Sequence, residues 1–465
     1  MQNRSTTLTA ATYRDELGGG LIRRWSTAAD TERIACLVGL VHRRSEEEPP
    51  NLRSMDGVRR QMRGDSPLMG PGDFAVVEDT AKPDKPIVAC ACLWRHEWAF
   101  EGIPFSIGRP ETVATHPGYR RRGLMRALFG MLHARSEAEG HRLQAITGIP
   151  YFYRQFGYEY ALDLGGRRVV YLSLIPRAKE GETEPYALRD ATAADIPLIA
   201  ALYERRCAGG VVRAVVTERD WQHKIQEWAE AVATGEDIST LELHGRLMII
   251  VDATGEACGW ALLSTRRYGR DLQVYALELD ARVSLPAALP GLLRALRVYG
   301  LQVPTVDREA EPLSQISLSL GAVHPVYEAL GRGLAPYQEP PYAWYVRVPD
   351  LPAFLRHIGP ALEQRLAASV AAGYSGELRL DFYRGGLRLA FDGGQLTDVE
   401  PWQRPVFGPG AQAGFPPLVF CQLLFGRRSL DDLRYAFPDV WASSEAELLL
   451  NALFPRRPSW VLLLR

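Results

Sequence analysis

Cysteine is scarce in this chain. Its 465 residues hold only Cys36, Cys90, Cys92, Cys207, Cys258 and Cys421, and no two of them form a Cys-x-x-Cys pair. That excludes a disulfide-stapled scaffold and gives no zinc-type or redox spacing, so no metal is expected. The six read as buried free thiols of a reducing compartment, with Cys90 and Cys92 on one face of a strand-like run. A surplus of either charge is also missing: 54 Lys and Arg stand against 55 Asp and Glu, a formal net charge of -1. Nothing global therefore draws the chain to nucleic acid or an acidic membrane. Long apolar runs are absent too; stretches such as Leu418 to Phe425 fall far short of a membrane span. The first residues, Met1 to Tyr13, are polar and lack the apolar core of a signal peptide. These absences point to a cytoplasmic protein without membrane or nucleic-acid partners. No Cys-His constellation suggests a covalent nucleophile.

What is present is ordinary globular composition, 46% hydrophobic and 23% charged. At roughly 150 residues per domain the length suggests about three domains. The most informative stretch is Arg120-Arg121-Arg122-Gly123-Leu124-Met125. A strand, Ile107 to Thr115, and a turn, His116 to Tyr119, precede it. A helix, Leu124 to Glu139, follows, with Leu124, Leu128 and Leu132 on one face. The first amides of a helix lack intrahelical partners, and the helix dipole adds positive charge there. Glycine lets a phosphate approach the backbone closely. The segment therefore suggests a pyrophosphate and a nucleotide-like ligand. A solvated charge run is the plain alternative.

Two landmarks recur along the chain. Arg24-Trp25-Ser26-Thr27-Ala28-Ala29-Asp30 is matched by Arg189-Asp190-Ala191-Thr192-Ala193-Ala194-Asp195. Tyr153-x-x-Phe156-Gly157 is matched at nearly equal spacing by Tyr327-x-x-Leu330-Gly331. That argues for two copies of one fold. The second copy has Ser284-Leu285-Pro286-Ala287-Ala288-Leu289-Pro290-Gly291 where the first has its arginines. It lacks the basic residues, and its prolines lack amide donors, so it is not expected to bind the ligand. A charged, strand-free linker, Pro176 to Pro185, separates the copies. A third region begins near Asp350, read as the N-cap of a helix from Leu351. Strands at Gly376 to Tyr383, Gly386 to Asp392 and Gln395 to Val399 follow, the last two joined by a Gly393-Gly394 hairpin. Helices are expected at Pro417 to Phe425, Ser429 to Tyr435 and Ser444 to Phe454.

A strand, a basic Gly loop with helix, and a second strand ending near Tyr153-x-x-x-Gly157-Tyr158 resemble the GNAT acyltransferase superfamily. Arg120 and Gly123 match that family's [Gln/Arg]-x-x-Gly-x-[Gly/Ala] loop, while Met125 replaces its last small residue. The whole-chain layout is similar to the Eis (enhanced intracellular survival) type of N-acetyltransferase. The resemblance extends to Phe425-Gly426-Arg427-Arg428-Ser429-Leu430, Phe437-Pro438-Asp439 and Leu453-Phe454-Pro455. It implies an α/β (α+β) chain: a GNAT domain over residues 1–176, a degenerate GNAT-like domain over 186–349, and a small α+β sterol-carrier-protein-like domain over 350–465.

The resemblance also implies roles. Val113, Ala114 and Thr115 would pair with the pantetheine arm of acetyl-CoA. Arg121, Arg122, Gly123, Leu124, Met125 and Arg126 would hold its pyrophosphate, and Gly148 and Ile149 would line the cleft. Tyr153 would be the general acid for the departing thiolate; a core aromatic is its plain alternative. The base the family implies is the terminal carboxylate at Arg465, with Glu111, two residues before Val113, as the fallback; a solvated strand-edge carboxylate is the plain alternative for Glu111. Trp94, His96 and Trp98 alternate on one strand face and are acceptor-pocket candidates, with a half-buried sheet face as the plainer reading. Tyr151, Tyr158 and Tyr160 read as packing residues, and His116 and His133 as surface or loop histidines. The function implied is transfer of the acetyl group of acetyl-CoA to an amine of a small molecule or peptide, in a homo-oligomer. The alternative is a non-catalytic acyl-CoA or lipid binding or scaffold protein.

Overall fold

A computed structural model describes residues 8–235, 237–238, 241, 243–306, 311–406, 410–462 and 464. The chain opens with strands β1 (Arg14–Gly18) and β2 (Leu21–Trp25), then helices α1 (Thr31–Val41) and α2 (Leu52–Met62). Strands β3 (Phe74–Asp79), β4 (Ile87–Phe100) and β5 (Ile103–Thr115) form an antiparallel meander. Helix α3 (Leu124–Ala138) leads to β6 (Leu143–Ile146), and β7 is Glu159–Leu164. Alternation along β4 explains both cores. Cys90, Cys92 and Trp94 pack with Ile34, Leu37, Val58 and Met62 of α1 and α2. Ala89, Ala91 and Leu93 pack on the other face with Leu124, Leu128 and Leu132 of α3.

The next segment builds a second mixed sheet. Its strands are β8 (Arg167–Tyr171), β9 (Tyr186–Asp190), β10 (Val212–Ala214), β11 (Arg246–Asp252), β12 (Ala257–Leu263), β13 (Asp271–Leu279), β14 (Gln315–Leu318) and β15 (Tyr337–Glu339). All but β10 share one sheet, in the order β15-β8-β14-β13-β12-β11-β9. Helices α4 (Ile196–Cys207), α5 (Glu218–Thr234), α6 (Leu285–Gln302) and α7 (Pro325–Leu334) accompany it. The local structure of the first copy recurs. Thr27 and Asp30 form a capping box in which Arg24 grips the Asp30 carboxylate with both terminal nitrogens, at 2.8 Å each. Thr192, Asp195 and Arg189 repeat it at 2.8 and 2.7 Å.

Strand β16 (Tyr342–Arg347) then lies between β6 and β7 of the first sheet, antiparallel to β6, giving the order β1-β2-β3-β4-β5-β6-β16-β7. The last segment has helices α8 (Leu351–His357), α9 (Gly359–Ala367), α10 (Phe420–Leu424), α11 (Leu430–Ala436) and α12 (Ser444–Leu453). Its sheet runs β19 (Gln395–Trp402), β18 (Gly386–Asp392), β17 (Gly376–Asp381), β20 (Ala413–Gly414), β21 (Trp441–Ala442). Asp350 caps α8 by accepting from the Ala353 amide, and Gly393 and Gly394, both at positive φ, turn the β18–β19 hairpin.

Contacts group the chain into two compact units, Met1–Leu162 with Ala343–Ser459, and Asp163–Tyr342 with Trp460–Arg465. Strand β8 thus belongs to the second unit, and nearly all of β16 to the first. No helix among the described residues is long and apolar enough to cross a membrane. Cys90, Cys92, Cys207, Cys258 and Cys421 are buried free thiols, whereas Cys36 corrects the expectation by standing exposed on α1.

Candidate active site

The site begins where two strands part. β5 and β6 pair in parallel only at Ile107↔Leu143 and Gly108↔Gln144. Beyond Gly108 the β6-facing edge of β5 has lost this partner, so Val113, Ala114 and Thr115 lie along an opened cleft. An irregularity in the β4–β5 register falls at Cys90/Cys92, with Thr112 opposite at φ 51°. Such a bulge bends the strand and re-aims its side chains.

After β5 the chain turns through Pro117–Tyr119 into the arginine loop. Arg121 has φ 63° and Gly123 φ 74°. Gly123 is the N-cap of α3, and a Cβ there would meet nothing within 4 Å, so conformation rather than crowding calls for glycine. The amides of Arg121 to Arg126 have no hydrogen-bond partner among the described residues. Arg120, Arg121, Arg122 and Gly123 are exposed. Arg122 also lies over the Tyr119 ring, and Arg126 donates to Gln155 at 3.1 Å. Consecutive open amides at a helix start, flanked by guanidinium groups, suit a pyrophosphate. Met125 is half-buried against the aromatic cluster below, and its amide stays open.

Tyr153 starts a short 3-10 turn, Tyr153–Phe156, and is 3% exposed. Its ring packs with Phe129, Ile146, Tyr158 and Tyr345. Its hydroxyl has no hydrogen-bond partner among the described residues and faces Gly148, where a Cβ would come within 3.8 Å of it. Burial, and then the nearby Glu111 carboxylate, push this phenol well above its ordinary range. The matched Tyr327 differs. Its hydroxyl receives the Leu320 amide at 2.9 Å and lies within hydrogen-bond distance of the carbonyls of Leu318, Gly321 and Gly166. One copy ties its tyrosine into the backbone; the other leaves it open.

The loop carrying Gly148 and Ile149 is pinned from β7 and β16. The Tyr151 amide donates to the Tyr160 hydroxyl at 2.7 Å, Tyr160 pairs with the Tyr345 hydroxyl, and Tyr345 donates to the Ile149 carbonyl at 3.1 Å. Tyr160 is therefore a polar fastener rather than simple packing. Tyr158 is fully buried, with His133 Nε2 3.0 Å from its hydroxyl. His133 thus corrects the surface reading: burial, helped by Arg347, lowers it to about 3, so its imidazole is neutral near pH 7.

Glu111 is half-buried with Arg109 Nη2 2.6 Å from Oε1. Arg109 was missed in the sequence, although an arginine two residues from Glu111 in an alternating strand must share its face. Arg465, the other expected base, lies outside the described residues. Nearby, Trp460 bridges Arg213, and Leu462 and Leu464 are buried in a core with Tyr203, Trp221 and Trp260. No cluster of three or more His, Cys, Asp or Glu side chains suited to a metal occurs among the described residues. A cavity of about 460 Å³ in the second unit lies between β9, β11 and α6, and its Arg189, Arg246 and Arg294 are each paired with an acid.

Residues 23–161 match the family model of the acetyltransferase (GNAT) domain. No curated protein matches the chain. Among solved structures, a probable N-acyltransferase from Enterococcus faecalis is 14% identical with TM-score 0.61, over 95% of this chain and 98% of that one. A GCN5-related N-acetyltransferase from Kribbella flavida is 20% identical with TM-score 0.59, over 97% and 99%. Eis1 from Mycobacterium abscessus is 15% identical with TM-score 0.55, over 94% and 98%. At these identities the likeness is one of fold. Residues 23–161 are thus similar to an acetyltransferase (GNAT) domain, inside a mixed α/β fold that the chain shares with these structures over nearly its whole length.

Proposed function

We propose that the chain is an acetyl-CoA-dependent N-acetyltransferase of the Eis type, acting on an amine of a small molecule or peptide by direct attack. The observation that carries this reading is the open Tyr153 hydroxyl in a cleft that also has unpaired strand edge and unpaired helix-start amides. In this reading Val113, Ala114 and Thr115 pair with the pantetheine arm as an added strand would. The amides of Arg121 to Arg126, with the exposed guanidinium groups, hold the pyrophosphate. Gly148 and Ile149 line the far wall. Residues 350–465 act as a sterol-carrier-like domain.

The chemistry needs a neutral amine and a protonated leaving group. Glu111 takes the ammonium proton, the nitrogen forms its bond to the acetyl carbon, and the carbon–sulfur bond breaks. Tyr153 is protonated at every working pH because burial and Glu111 raise it. It donates to the sulfur as negative charge develops there, desolvation raising the thiolate's own basicity alongside, and the second proton shed by the acylated nitrogen restores the phenol. His133, neutral and bonded to Tyr158, has no place in this relay.

The test is release of free thiol from acetyl-CoA with a panel of polyamines and aminoglycosides, repeated with Tyr153→Phe. Turnover with at least one amine is expected. The variant should lower kcat by about ten- to a thousandfold, with little change in KM for acetyl-CoA. Measurable CoA binding without thiol release from any amine would replace the enzyme reading with an acyl-CoA binding protein. Unchanged turnover in Tyr153→Phe would remove that residue from the mechanism.

A further inference from the structure

Arg109 lies opposite Trp94 in the β4–β5 register and is 5% exposed. Its guanidinium carbon is 5.2 Å from the centre of the Trp94 ring and 5.1 Å from that of Trp344 on β16. Nη2 is 2.6 Å from Glu111 Oε1, while Nε and Nη1 are buried without a hydrogen-bond partner among the described residues. The indole nitrogens of Trp94 and Trp344 are buried and unpartnered as well. As a stabilising device this is a poor design. Burying an ion pair with open donors costs more than filling the same space with apolar side chains. Two indole faces do favour a cation, so Arg109 is gripped where it is.

We propose that Arg109 is a positioning residue for Glu111. Clamped between Trp94 and Trp344, it fixes the direction of that carboxylate for the ammonium of a cationic amine. The inference rests on the reading of Glu111 as the group that meets the acceptor. Three titratable side chains bear on Glu111: Arg109 on its own strand, Cys92 on β4, and Tyr153 across the cleft. The Cys92 thiol is buried and raised well above its usual range, and Tyr153 is likewise raised, so both are neutral at working pH. Arg109 alone of the three carries charge there. Strand β16 serves the site from both faces, since Trp344 stacks on Arg109 while its neighbour Tyr345 packs on Tyr153.

The experiment compares Arg109→Gln, Arg109→Lys, Glu111→Gln and the double variant Arg109→Gln/Glu111→Gln. The probe is the best amine of the panel above, with CoA titration as the check of folding. Arg109→Gln should lower kcat/KM for the amine by about ten- to a hundredfold. KM for acetyl-CoA should not change. Arg109→Lys should recover part of the loss, and the double variant should be no worse than Glu111→Gln. Unchanged kcat/KM for the amine in Glu111→Gln would overturn the reading of Glu111, and the inference with it. A loss in Glu111→Gln, with kcat/KM for the amine unchanged in Arg109→Gln or with additive losses in the double variant, would overturn the role of Arg109 alone.

Discussion

Two tyrosines at matched places carry opposite hydroxyl environments, and that contrast yields a prediction at the residue scale. Tyr327 is anchored to backbone groups of four residues. Tyr327→Phe should therefore cost about 1–3 kcal/mol of stability, read by denaturant unfolding, because it strands the buried Leu320 amide. It should leave acetyl transfer in the first copy nearly unchanged. Asp195 offers a second prediction. Its hydrogen bonds from Arg189 hold the carboxyl down at about 2, against an ordinary value of 3.8. A lowered folded-state value means that the stabilisation is complete above about pH 4 and is lost as pH falls towards about 2. Arg189→Met should flatten the fall in melting temperature across that window; an equal fall in both proteins would show that the pair contributes nothing.

At the scale of elements, the start of α3 makes the sharpest demand. Arg121 and Arg122 are exposed, so replacing both with alanine should barely alter melting temperature. Their loss should raise KM for acetyl-CoA by about tenfold or more, as charge-assisted contacts to phosphate disappear. An unaltered KM would leave the amides alone in that role. The strand, glycine and helix start were legible in the sequence, because they are local and their spacing is fixed by backbone geometry. The Gly393-Gly394 hairpin and the Asp350 cap were legible for the same reason. The clamp around Arg109 was not. Trp344 reaches it from a strand more than two hundred residues away, and no local pattern announces a partner of that kind. The fastening of the Gly148–Tyr151 loop by Tyr345 was hidden in the same way.

At the scale of the whole molecule, the repeat is visible in sequence while the grouping of its strands is not. The matched strings form capping boxes of the same geometry. Yet β8 follows the first copy along the chain and pairs in the second sheet, while β16 follows the second copy and pairs in the first. A fragment ending at residue 176 would leave the β6 and β7 edges beside β16 unpaired and Tyr153 without its Tyr345 neighbour. Such a fragment should aggregate and fail to bind CoA, as size-exclusion chromatography and CoA titration would show. A monomeric fragment that binds CoA as the full chain does would contradict this.

The late arrival of β16 has a consequence for synthesis. β6 leaves the ribosome roughly 200 residues ahead of β16, and at about 5–20 residues per second the wait is roughly 10–40 s. During that time the nascent first sheet has an open apolar edge, and the cleft exists without its aromatic floor. The timing of translation, rather than any local folding step, sets when the first sheet can close, and chaperones have that interval in which to act.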